Sequence, residues 1–178
     1  MDDTIQQALA ILDLAIQIEK DGIKFYSRAA DSVQNLRAKK SLLSLARDEE
    51  DHLRKLQVEY GSLQKTSSWL GLGALGVEGK VAVDVNKIFP ADDESIAKLV
   101  KPEDSDIDAL HLAAKMEEDS YIFYSKAAEE TGDLNAKAVF NYLADQESNH
   151  LQFVNTTLEF LERPWEWFQE QERPILEG

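Results

Sequence analysis

Shifted by 98 residues, the chain matches itself, and that internal repeat limits its fold more than any other feature. Leu14–Ala30 laid over Leu112–Ala128 gives nine identities in 17 positions. Among them are Glu19/Glu117, Asp21/Asp119 and Phe25-Tyr26-Ser27/Phe123-Tyr124-Ser125. Ala38–Leu53 over Ala136–Leu151 gives seven in 16, including Glu49/Glu147, His52/His150 and Leu53/Leu151. The offset does not slip between the two blocks, so each repeat is a complete structural unit. Within each unit apolar residues recur three, four or seven apart, as in Ile5, Leu9, Leu12, Ile16 and Ile23, the mark of amphipathic helices.

The repeat therefore predicts two copies of one helical hairpin. Helix 1 is expected over 4–34. Helix 2 should start near Asn35–Ala38 and end before Gly61. Helix 3 is expected from about Ser105, where Ser105-Asp106-Ile107-Asp108 has the form of a capping box, to about Thr131. Gly132-Asp133 makes a turn, and helix 4 runs to Arg163, where Pro164 stops it. Each hairpin alone leaves an apolar face bare, and together they make an all-α four-helix bundle. Residues 61–103 far exceed the roughly 2–8 residues of an ordinary helix–helix loop and read as a crossover spanning the bundle. Within that crossover, Val81–Val85 is expected to be extended, and Asp93 to cap a short helix through Val100. The whole is expected to be a single domain of residues 1–178, with hairpins 4–60 and 104–163, connector 61–103, and an aromatic then polar tail, 164–178.

The spacing of the acidic residues then places the chemistry. Glu19 and Glu49 are 30 residues apart with their midpoint at the first turn; Glu117 and Glu147 are also 30 apart, with their midpoint at Gly132. In an antiparallel hairpin, residues equidistant from the turn lie side by side, here about 22 Å along the helix at 1.5 Å per residue. Both hairpins thus offer two Glu at one level near mid-bundle. His52 and His150 follow Glu49 and Glu147 by three, on the same helix face. Bare buried carboxylates at that density repel one another and take up protons. Two divalent cations would neutralise four Glu, with an imidazole for each. That donor set suits two ions of iron or manganese; zinc fits too but makes poorer use of six ligands.

Composition removes competing chemistries. The 178 residues contain no cysteine, so thiolate zinc, cysteine nucleophiles and Cys-ligated iron are excluded within them. The formal net charge of −15 disfavours nucleic acid and anionic lipid as partners. No apolar run reaches the roughly 18 residues of a membrane span, and the acidic start MDDTIQQA lacks signal-peptide character, so a cytoplasmic location is expected.

The paired Glu and Glu-x-x-His hairpins resemble the ferritin-like superfamily, and within it the rubrerythrin-type di-iron carboxylate proteins. The resemblance covers residues 4–60 and 104–163. It implies that Glu19 and Glu117 are terminal carboxylate ligands, that Glu49 and Glu147 bridge, and that His52 and His150 each take one metal. Two departures stand out. Rubrerythrins proper carry a Cys-rich rubredoxin domain, for which this sequence has no cysteine. They also carry an extra Glu one turn before the third-helix ligand, and here that position is Ala114. The symmetric four-Glu, two-His set also resembles bacterioferritin. The long connector, and Asp51 at the usual place of the haem Met, argue against that protein.

Other residues stand close to this face. Tyr26 and Tyr124 lie seven residues after Glu19 and Glu117 and could hydrogen-bond a ligand carboxylate. Tyr121 lies four after Glu117 but has no aromatic counterpart at Ile23. Gly22 and Ser120 leave room near the ligands, for an oxidant or for close helix packing. Asp48 and Asp145 read as solvated, or as reaching a His across the bundle. His111, Glu50 and Glu118 read as surface residues. Trp165, Trp167 and Phe168 are expected to cover a bundle end or a subunit interface, or to dock an electron donor.

The resemblance implies an oxidoreductase that reduces hydrogen peroxide, or dioxygen, with electrons from an external donor such as a rubredoxin. A ferroxidase or iron-storage role of ferritin type is the alternative, and an oxidase acting on an organic substrate ranks third. A homo-oligomer, with a dimer favoured, is expected.

Overall fold

The computed structural model describes residues 3–76 and 104–166. Four long helices make up almost all of these residues: α1 (Asp3–Ser32), α2 (Leu36–Thr66), α3 (Asp104–Glu130) and α4 (Leu134–Glu162). The fold is an all-α, ferritin-like helical bundle, and no strand occurs among the described residues. The segments expected at Val81–Val85 and Asp93–Val100 lie outside the described residues, as do Trp167 and Phe168. No described helix is long and apolar enough to cross a membrane.

Each hairpin turn is closed by the residue its chemistry favours. Asn35 caps α2, its side-chain oxygen accepting from the backbone N–H groups of Arg37 and Ala38. Asp133 caps α4 in the same way, accepting from Asn135 and Ala136. Close backbone approaches concentrate within the pairs α1–α2 and α3–α4.

Helix α2 does not stop before Gly61 but continues to Thr66 and closes at Ser67, whose φ of 57° is left-handed. A helical glycine costs only about 1 kcal/mol. Buried Leu63 on the apolar face and buried Glu59 outweigh that cost. The Glu59 carboxylate accepts from the N–H groups of Leu70 (3.0 Å) and Gly71 (2.8 Å), which turns the chain back over the bundle end. Trp69 is thereby seated edge-on against Phe140 at 5.6 Å. Trp69 closes this end of the bundle, a role expected of the tail aromatics. Trp165 is 71 % exposed and covers no part of the described bundle.

At the opposite end, Asp106 does not cap its own helix. Its carboxylate, fully buried, accepts from the backbone N–H groups of Gln34 and Asn35, both at 2.8 Å. The start of α3 is thus tied to the α1–α2 turn, while the end of α2 lies against the start of α4. Helices α2 and α3 therefore run parallel, and the ends joined by residues 77–103 lie at opposite ends of the bundle, as a crossover requires.

The apolar core forms two clusters rather than one. The first gathers Leu42, Leu45, Leu110, Phe153 and Phe160, among others. The second gathers Leu12, Leu56, Leu63, Val139, Phe140 and Leu143. Between them lies a polar layer.

Asp106→Ala should remove two charge-assisted hydrogen bonds and leave two N–H donors bare, lowering stability by about 3 kcal/mol. Asp106→Asn, with one acceptor oxygen left, should lose about half as much. Urea unfolding of the metal-free chain measures both.

Candidate metal centre

Six acidic side chains are buried among the described residues: Glu19, Glu49, Glu59, Asp106, Glu117 and Glu147. Glu59 and Asp106 are satisfied by pairs of backbone amides, as shown above. The other four face one another, and His52 and His150 join them. All six of these groups are at most 3 % exposed. The helical geometry anticipated from the sequence has brought the six together: one Glu each from α1 and α3, and Glu-x-x-His from α2 and α4.

Their donor atoms form two overlapping clusters. Glu19, Glu49, His52 and Glu147 make one, and Glu49, Glu117, Glu147 and His150 the other; within each, the donors lie within 4.8 Å of one another. Glu49 and Glu147 belong to both. His52 Nδ1 lies 2.8 Å from Glu49 Oε2, 3.3 Å from Glu147 Oε1 and 3.7 Å from Glu19 Oε2. His150 Nδ1 lies 3.4 Å from Glu49 Oε1, 3.4 Å from Glu117 Oε2 and 3.6 Å from Glu147 Oε2. The two imidazoles stack with centroids 5.4 Å apart.

Three buried atoms of the site have no hydrogen-bond partner: Glu117 Oε2, Glu147 Oε1 and His150 Nδ1. Buried polar atoms are paired in most folded proteins, and orphans of this kind point to a missing ion. Here all three orphans converge on the same layer. The donor set, four carboxylates and two imidazoles, fits two divalent cations in charge and in ligand type.

The electrostatics agree. Burial holds the Glu19 and Glu117 carboxyls well above the usual carboxylate range. Burial works the same way on Glu49 and Glu147, but the nearby His150 and His52 rings overcome it and hold both below that range. For His52 and His150 burial disfavours the charged ring, yet the surrounding carboxylates outweigh it and raise both. Protons thus supply the positive charge that the layer requires when no metal does.

The tyrosines make the expected kind of contact, a hydrogen bond to a carboxylate of the layer. Tyr26 Oη donates to Glu117 Oε1 at 2.7 Å, and Tyr124 Oη donates to Glu19 Oε1. Each phenol bonds the glutamate of the opposite hairpin, not the one on its own helix. Burial keeps both phenols protonated, as donors. They hold the α1 and α3 carboxylates in place and tie the two hairpins together. Gly22 is buried over Glu49; a Cβ there would stand 3.5 Å from Glu49 Cγ, ordinary contact, so close packing accounts for it.

The remaining candidates separate cleanly. Asp48 Oδ2 lies 3.6 Å from His150 Nε2, so the reach across the bundle is realised there. Asp145 is exposed. Tyr121 is 42 % exposed and stands outside the site. His111 is on the surface, 3.1 Å from Glu162. Glu50 and Glu118 are exposed, as their positions next to inward-facing residues required.

The rubrerythrin family model matches residues 10–158, a span that contains all six groups. The chain belongs to the rubrerythrin family. It is 31 % identical over 139 residues to the uncharacterised protein YhjR of Bacillus subtilis (strain 168), covering 78 % of each chain. A solved structure of a hypothetical protein from Pyrococcus furiosus superposes with a TM-score of 0.58 at 23 % identity, covering 85 % of this chain and 88 % of that one. That likeness speaks for the fold alone. Membership of the rubrerythrin family and the buried carboxylate–histidine cluster together support a dinuclear metal site of the di-iron type.

The pH dependence of the metal-free chain follows from these directions. Glu19, Glu117, His52 and His150 are raised, so their stabilisation is full below their ordinary values of 4.5 and 6.5 and is lost as pH rises through the folded values. Glu49 and Glu147 are lowered, and their stabilisation is lost only in acid. The metal-free protein should therefore be most stable in mildly acidic solution, with Tm falling as pH climbs past 6.5. Two bound divalent ions should abolish that fall, because metals replace the protons. Calorimetry of both forms across pH checks this; a metal-free Tm that rises over the same interval contradicts it.

Proposed function

We propose that this protein is a di-iron oxidoreductase that reduces hydrogen peroxide, with dioxygen as a slower oxidant, using electrons delivered by another protein. The observation that carries the reading is the pair of overlapping donor clusters sharing Glu49 and Glu147 in a rubrerythrin-family chain. Hydrogen peroxide takes two electrons and two protons to give two waters. Two ferrous ions would supply those two electrons.

The residues of the chain do the rest. Glu19 and His52 would hold one ion and Glu117 and His150 the other, with Glu49 and Glu147, which belong to both donor clusters, serving either. The Tyr26 and Tyr124 phenols keep their protons and fix the orientation of Glu117 and Glu19. The two flanking apolar clusters exclude bulk water from the layer. No cysteine occurs in the 178 residues, so no rubredoxin-type centre within them can return the electrons. We take the donor to be a separate redox protein, a rubredoxin being the type we favour. An acidic chain working on a small oxidant in the cytoplasm, without nucleic acid or membrane and as a homodimer, completes the proposal.

A second reading rests on Ala114. Rubrerythrins place a further Glu there, and its replacement leaves a symmetric donor set like that of a ferroxidase, which would oxidise iron for storage.

Anaerobic stopped-flow mixing of the diferrous protein with peroxide and with dioxygen tests these readings. Oxidation should be faster with peroxide, and His52→Ala/His150→Ala should slow it by at least 100-fold. A wild type no faster than that double variant sinks the proposal. Faster reaction with dioxygen, with more than two irons oxidised and retained per chain by a large shell, supports the ferroxidase instead.

A further inference from the structure

The repeat that makes the six ligands symmetric breaks at several neighbouring positions, and one of these breaks bears on a ligand. The residue before Glu49 is Asp48, and the residue before Glu147 is Gln146. Asp48 reaches across from α2 to α4, its Oδ2 3.6 Å from His150 Nε2. The His150 ring is therefore held between two sets of carboxylates. Its Nδ1 faces Glu49, Glu117 and Glu147, and its Nε2 faces Asp48. The residue related to Asp48 by the repeat is Gln146, buried and carrying a neutral amide in place of the carboxylate. The carboxylates paired with His52 are Glu19, Glu49 and Glu147, all of them at Nδ1, and one turn beyond it Lys55 is paired with Asp51. At the matching place in the second hairpin is Phe153, apolar and buried.

A carboxylate behind a ligating imidazole fixes the ring and strengthens it as a donor, and loss of such a partner typically weakens metal affinity about 10–100-fold. We infer that the two metal positions are unequal: the one formed by Glu117 and His150, backed by Asp48, takes a divalent ion first and more tightly than the one formed by Glu19 and His52. This rests on the reading that the six residues hold two metals. It makes Asp48 a positioning residue that acts through His150, and it makes loading of the site stepwise.

The test is a titration of the metal-free, full-length protein with Zn2+, a diamagnetic probe, followed by NMR of 15N-labelled histidine. The chain has three histidines, and exposed His111 serves as an internal reference. In the wild type, the first equivalent should shift the His150 signals and the second those of His52. Asp48→Asn should erase that order by weakening the first step 10–100-fold. Gln146→Glu, which gives His52 a carboxylate at the matching position, should strengthen the second step until the two merge. The inference is overturned if His52 and His150 respond together in the wild type, if His52 responds first, or if Asp48→Asn leaves the order unchanged. Failure of the metal-site reading itself looks different: neither buried ring responds, or saturation falls short of two ions per chain.

Discussion

Four carboxylates and two imidazoles share a mid-bundle layer with almost no contact with solvent, and the rest of the architecture accommodates that arrangement. Charge density of this kind destabilises a core unless a counter-charge enters with it. Protons can supply part of it, which is why Glu19 and Glu117 are held in the protonated range while Glu49 and Glu147 lean on the histidines. Two divalent cations supply all of it. The apolar core is split into two clusters because this layer interrupts it. The contrast with Glu59 and Asp106 is instructive, since those equally buried acids are each met by two backbone amides and need no ion.

Duplication is an economical way to build such a layer. One hairpin presents Glu and Glu-x-x-His, and a second copy completes the set with the same spacing. The two copies are then locked by reciprocal contacts, Tyr26 to Glu117 and Tyr124 to Glu19. Where the repeat diverges, the structure is specialised. Asp106 ties one bundle end together, and Asp48 stands behind only one histidine.

Much of this was legible in the sequence, for a definite reason. A constant offset of 98 and equal Glu–Glu separations about each turn fix both register and level, so the four helices and the six donors could be placed without side-chain detail. What stayed open, and the one misplaced helix end, have physical causes, since helical spacing does not encode contacts across the bundle. Tyr26 and Tyr124 could be assigned to the ligand face, but periodicity along one helix says nothing of which neighbour the hydroxyl meets across the bundle. Asp106 carried no role of its own, being only an inner position of the Ser105–Asp108 capping-box pattern, and its partners lie 71 and 72 residues away. Gly61 read as a helix end because intrinsic propensity is weak against buried neighbours. Glu59 gave no signal at all, being one acid among 34 in the chain.

The central claim is that the buried layer holds two metal ions between the hairpins. Anomalous X-ray scattering from crystals of the iron-loaded protein tests it most directly. Two anomalous peaks should lie about 3.5–4 Å apart, between Glu49 and Glu147, with His52 beside one and His150 beside the other. A layer without anomalous density, or iron found only at surface carboxylates, would contradict the account.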